Sequence, residues 1–78
     1  MNRRELWLKI ARNPRNARFA DADRLLRLAG WEMSRTRGSH YIYYREGSHF
    51  SMPRHGAMLR PVYVRLVLDL TEDPDDDD

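Results

Sequence analysis

Apolar and polar positions repeat with two different periods along this chain. Between Arg3 and Arg12, Leu6, Ile10 and, less regularly, Trp7 fall at helical spacing, which predicts a helix. Asn13-Pro14 ends it, because the residue before a proline is driven out of the helical region. After a polar link at 15–18, Phe19-Ala20-Asp21-Ala22-Asp23 opens a second helix. Asp21 is expected as its N-cap, with both acids near the positive end of the helix dipole. Phe19 is expected to staple onto Leu25 or Leu26. Gly30 supplies the left-handed residue that stops the helix.

From Trp31 the period drops to two. Trp31 and Met33 alternate with Glu32 and Ser34, which predicts a strand over 31–36. Arg37-Gly38-Ser39 is a tight connection. His40-Tyr41-Ile42-Tyr43-Tyr44-Arg45 is dense in aromatic and β-branched residues and predicts a second strand. Glu46-Gly47-Ser48 reads as a turn, and Phe50-Ser51-Met52 as a short third strand that Pro53 closes. A loop follows at 54–59. Pro61 suits the first turn of a last helix, on which Tyr63, Leu66, Val67 and Leu70 make one apolar face. Pro74 and the terminal aspartates can bury nothing, so residues 71–78 are expected to be a disordered acidic tail. The expected fold is α+β. An αβββα layer at 19–70, a three-stranded antiparallel sheet packed by helices as in double-stranded-RNA-binding domains, follows an extra helix and link at 1–18.

The charges are segregated. Residues 1–68 hold all 14 Lys and Arg against five acids, a balance of +9, while 69–78 hold seven acids and no base. Such a basic body suits a polyanionic partner. Thirteen of the bases are Arg, whose planar fork of donors matches phosphate, although a solvated charged face would look the same. Cysteine is absent, which excludes disulfides and thiolate metal sites. Met1-Asn2-Arg3-Arg4-Glu5 has no long apolar run behind it, so neither a signal peptide nor a membrane span is expected, and the protein is expected in the cytoplasm.

The chemistry narrows by elimination. No P-loop, nucleophile elbow or dinucleotide motif is present, and the five acids of the body are scattered. His40, His49 and His55 lack the spacing of a structural zinc site, and neither a metal nor a cofactor is expected. What remains is histidine in an arginine-rich, aromatic setting. Metal-free RNA cleavage needs little more: an imidazole can take the proton of a 2′-hydroxyl, and arginines can offset charge on the phosphate. Gly38 and Ser39 can offer a close backbone approach and a donor to phosphate oxygen. In the second strand, Tyr41 and Tyr43 share one face and His40, Ile42 and Tyr44 the other. If His40 must reach substrate, its face is the open one.

These residues resemble a known family. Arg37-Gly38-Ser39-His40-Tyr41-Ile42-Tyr43 is similar to the Gly-Ser/Thr-His stretch of the HicA toxins. Phe19-Ala20-Asp21, Leu25-Leu26 and Ala29-Gly30-Trp31 resemble that family's first core helix and its entry into the first strand. Met52-Pro53-Arg54-His55-Gly56 and Pro61-Val62-Tyr63-Val64-Arg65 resemble its Pro-x-His segment and last helix. The resemblance spans roughly residues 19–70. It implies a metal-independent mRNA interferase, an endoribonuclease whose substrate is mRNA, and a HicB-like antitoxin that covers the active site. It implies His40 as the catalytic residue. Arg35, Arg37, Gly38, Ser39, Arg45, Arg54 and His55 are the candidate RNA contacts, and His40, Ile42 and Tyr44 the candidate antitoxin surface. A noncatalytic RNA-binding or protein-interaction module of the same fold is the alternative.

Overall fold

The computed structural model describes residues 1–72. Its elements are α1 (Arg3–Arg12), a 3-10 turn (Pro14–Asn16), α2 (Phe19–Leu28), β1 (Glu32–Arg37), β2 (His40–Arg45), β3 (Ser48–Pro53) and α3 (Pro61–Leu70). The strands form one antiparallel sheet in the order β1-β2-β3. The architecture is α+β: an αβββα unit of double-stranded-RNA-binding type, preceded by one extra helix.

Helix α1 starts from a capping box, in which Asn2 accepts from the Glu5 amide and Glu5 accepts from that of Asn2. Helix α2 starts differently from expectation. Its N-cap is Arg18, which makes no side-chain cap, and Asp21 lies inside the first turn, bonded to Lys9 at 3.0 Å. The reason is a short backbone bridge that the sequence pattern does not show. The Phe19 amide donates to the Ala57 carbonyl and the Leu59 amide to the Ala17 carbonyl, around a bridge between Arg18 and Met58. The Phe19 amide, which a cap residue often leaves to water, is thereby satisfied by backbone. Phe19 itself meets the Tyr41 ring edge-on, with centroids 4.9 Å apart. The C-terminal end of α2 follows the expected device. Gly30 sits at φ +95°, the Trp31 amide reaches back to the Leu26 carbonyl, and the Gly30 amide to that of Arg27.

The helices cover one face of the sheet. Tyr43 and Met52 are fully buried there, with Met33, Tyr41 and Phe50 partly buried around them. Leu6 and Ile10 of α1 belong to the same buried cluster as Phe19, Leu25, Leu26, Val64 and Val67, so the extra helix shares the core of the αβββα unit. The apolar face of α3 is turned about one residue from the expected one. Val64 and Val67 are buried, with Tyr63 and Leu70 only partly so, while Leu66 is 37% exposed. Contact with α1 sets this rotation: the Trp7 indole donates to the Leu68 carbonyl, and Arg3 Nη2 to that of Thr71. Both cations and donors are favourable at this negative end of α3. Thr71, assigned to the tail by composition, belongs to the folded body: it is buried and its hydroxyl bonds the Val67 carbonyl. The remainder of the expected tail, 73–78, lies outside the described residues.

Both hairpins turn on two residues. Gly38 has φ +61°, and Ser39 completes a turn closed by the pair Arg37 and His40. Glu46 and Gly47 have φ +47° and +85°, the two left-handed positions of a type I′ turn, closed by Arg45 and Ser48. The third strand therefore begins two residues earlier than expected, at Ser48, and includes His49.

Candidate functional site on the open face of the sheet

The turn at Glu46-Gly47 fixes the register of β2 on β3. His40 stands opposite Pro53, Ile42 opposite Ser51 and Tyr44 opposite His49. The Arg54 amide donates to the Ser39 carbonyl at 2.8 Å, one residue beyond the His40–Pro53 pair. His40–Pro53 is therefore a non-hydrogen-bonded pair, and by alternation so are the other two. This is why Pro53 fits: no ladder donor is required of it. Side chains of such pairs stand closer than those of hydrogen-bonded pairs.

On the other side of β2, the register contains a bulge. Met33 pairs with Tyr43 and Arg35 with Ile42, leaving Ser34 as the extra residue. The Ser34 hydroxyl closes the gap by donating to the Ile42 carbonyl at 3.1 Å. A regular strand would put Met33, Arg35 and Arg37 on one face, under the helices. The bulge reverses the alternation. Arg35 and Arg37 now stand beside Ile42 and His40.

The structure thus brings together His40, Ile42, Tyr44, Arg35 and Arg37 on the face opposite the helices. His40 and both arginines are exposed, Ile42 is partly exposed and Tyr44 is 46% exposed. Gly38 and Ser39 form the turn at one end of this face. A Cβ built on Gly38 would meet nothing within 4 Å, so glycine is needed there for its backbone angle and the space beside it is open.

Other candidates lie apart. Arg45 sits at the far end of β2 on the helix side, against Gly30, with its Nε 3.6 Å from Glu46. The Arg54 guanidinium is stacked 4.9 Å over the Phe19 ring, also on the helix side, although its backbone is tied to Ser39. His55 is exposed in the loop beyond β3. His49 shares the open face but pairs with Tyr44, four residues along the strand from His40. At roughly 3.3 Å per residue that is about 13 Å, too far for both histidines to serve one phosphodiester. Among the described residues, no three His, Asp or Glu side chains gather as a metal ion would require.

One contact at the site was missed by pattern reading. His40 Nδ1 lies 3.1 Å from the Ser51 hydroxyl. The signal was present: a two-residue turn at Glu46-Gly47 would have placed Ser51 opposite Ile42, diagonal to His40.

A family model for the HicA toxin of bacterial toxin-antitoxin systems matches residues 19–71, from the first residue of α2 to the buried Thr71. The chain belongs to the HicA toxin family. Comparison with curated proteins and with solved structures returned no significant match. The family match makes this chain a toxin of a toxin-antitoxin system. It places α1 outside the family unit, although α1 contributes to the same core. Among the described residues no helix is long and apolar enough to cross a membrane.

Proposed function

We propose that this HicA-family chain is an endoribonuclease that cuts mRNA without a metal ion, with His40 as its catalytic residue. The observation that carries the reading is the exposed imidazole on the open sheet face, with Arg35 and Arg37 turned to the same face by the bulge at Ser34. His40 takes the proton of a ribose 2′-hydroxyl. The 2′-oxygen attacks the adjacent phosphorus, the bond from phosphorus to the 5′-oxygen breaks, and a 2′,3′-cyclic phosphate forms. The leaving 5′-oxygen takes a proton from the imidazolium or from water. Arg35 and Arg37 offset charge on the phosphate, while Gly38 and Ser39 leave room for the backbone to approach. Arg54, with its guanidinium held against Phe19, and Arg45, at the other end of the strand, act at most on flanking nucleotides. His55 is exposed in the loop two residues after Pro53.

A HicB-like antitoxin silences the toxin by covering the same face, with Ile42 and Tyr44 as its apolar footing around His40. An exposed aromatic beside an aliphatic residue is the kind of anchor that protein interfaces favour.

His40→Ala tests the reading. With divalent ions chelated, the wild type is expected to cut single-stranded RNA, and the variant to lose at least about 100-fold in rate while keeping its RNA affinity. Equal cutting by both proteins refutes the His40 mechanism. RNA binding without cutting by either protein establishes the noncatalytic module instead.

A further inference from the structure

We propose that Ser51 is the positioning residue for His40, holding the imidazole in the tautomer whose Nε2 is free to act as a base. The assignment rests on the ribonuclease reading and says which atoms of the site do the work.

A neutral imidazole carries one proton on either of two nitrogens, and only the other nitrogen can accept one. The partner of Nδ1 therefore decides whether Nε2 is a base. On β3, His40 faces Pro53 directly and Ser51 diagonally. Across β1 it faces Arg37. A proline side chain neither donates nor accepts, and a guanidinium only donates. The Ser51 hydroxyl is thus the acceptor at hand for a proton on Nδ1, and it lies 3.1 Å away. Nε2 has no hydrogen-bond partner among the described residues.

The direction of this bond follows from the reaction. With Nδ1–H donating to Ser51 Oγ, Nε2 presents its lone pair to the 2′-hydroxyl. After Nε2 takes the proton, Nδ1–H still donates to the same oxygen. Nothing in the site must rotate as charge develops, which is the condition for preorganised stabilisation. In the opposite arrangement, with the hydroxyl donating to Nδ1, Nε2 is already protonated and cannot act as the base.

The fold keeps the pair in place. Non-hydrogen-bonded pairing across β2 and β3 brings the His40 and Ser51 side chains close, and Pro53 occupies the neighbouring position without a competing polar group. Ser51 is exposed, so truncating it leaves the core untouched.

The test uses the free protein with ¹⁵N-labelled histidine, at a pH where the imidazole is neutral. The wild type is expected to show His40 with Nδ1 protonated and Nε2 bare. Ser51→Ala is expected to shift His40 toward a tautomer mixture, and Ser51→Thr, which restores a hydroxyl on a β-branched strand residue, to return it. In RNA cleavage, Ser51→Ala is expected to lower kcat about 10-fold with KM unchanged, and Ser51→Thr to recover most of the rate. A wild-type His40 protonated on Nε2, or a tautomer indifferent to Ser51→Ala, overturns the assignment. If cleavage needs His40 but ignores Ser51, only the Ser51 role falls. If cleavage does not need His40, the ribonuclease reading falls, and the Ser51 assignment with it.

Discussion

Tyr43 is the residue on which the helices and the sheet meet most closely. It is fully buried, its ring is stacked against Phe50, and its hydroxyl donates to Asp23 of α2 at 2.6 Å. Asp23 is also bonded by Arg27 at 3.0 Å, an exposed i,i+4 pair that contributes at most about 1 kcal/mol. Burial first, and then the hydrogen bond and negative charge of Asp23, push the Tyr43 phenol well above its ordinary value near 10. The folded state therefore holds the phenolic proton more tightly than the unfolded chain does. The stability this contributes is complete below about pH 10 and is lost as the pH rises beyond it. Urea midpoints of the wild type are expected to fall as the pH rises above about 10. Those of Tyr43→Phe, which lacks the titrating group, are expected to fall less. Near pH 7 the variant is expected to be about 1 kcal/mol less stable through the lost hydrogen bond. Equal alkaline slopes for the two proteins would show that Tyr43 does not control this transition. That Tyr41 and Tyr43 share a face was readable from strand alternation, and that this face is the inward one followed from leaving His40 open to substrate. The Asp23 partner of Tyr43 was not, because alternation names a face and not what stands across from it.

At the scale of elements, the bulge at Ser34 decides what the open face is made of. One extra residue moves Arg35 and Arg37 from the helix side to the side of His40. Deleting Ser34 is expected to make β1 regular and to leave both arginines beside Ile42 and His40, because Met33 and Arg35 already pair with successive residues of β2. In an Arg35→Ala, Arg37→Ala double variant the salt dependence of RNA binding is expected to drop by about two in its logarithmic slope. An unchanged slope would show that neither arginine meets phosphate. The limits of α1 and β2, and the glycine stop of α2, follow directly from the sequence because each rests on local signals: spacing, proline and glycine. What the sequence hid was tertiary. The bulge appears only when two strands are placed side by side. The uncapped start of α2 is explained by a bridge to residues nearly forty positions away. The face of α3 was misjudged because Tyr63, Leu66 and Leu70 are as apolar as Val64, and docking of α1 chooses between them.

For the molecule as a whole, α1 is the part that the family match omits and the core requires. Leu6 and Ile10 are both almost fully buried. Losing side chains of this kind from a core costs roughly 2–5 kcal/mol each, against a total stability of about 5–15 kcal/mol for an ordinary domain. A chain starting at Phe19 is therefore expected to lose its cooperative thermal transition, measured by far-ultraviolet circular dichroism. A sharp melt of the shortened chain near the full-length temperature would show that α1 is dispensable. The bond from Arg3 to the Thr71 carbonyl also brings the first and last helical segments together on the side of α1 and α3. Tethering the protein through its first residue to a sensor surface therefore points the sheet outward. The face that carries His40 is then available to RNA or to an antitoxin flowing past, and an attachment point at the opposite hairpin would hide it.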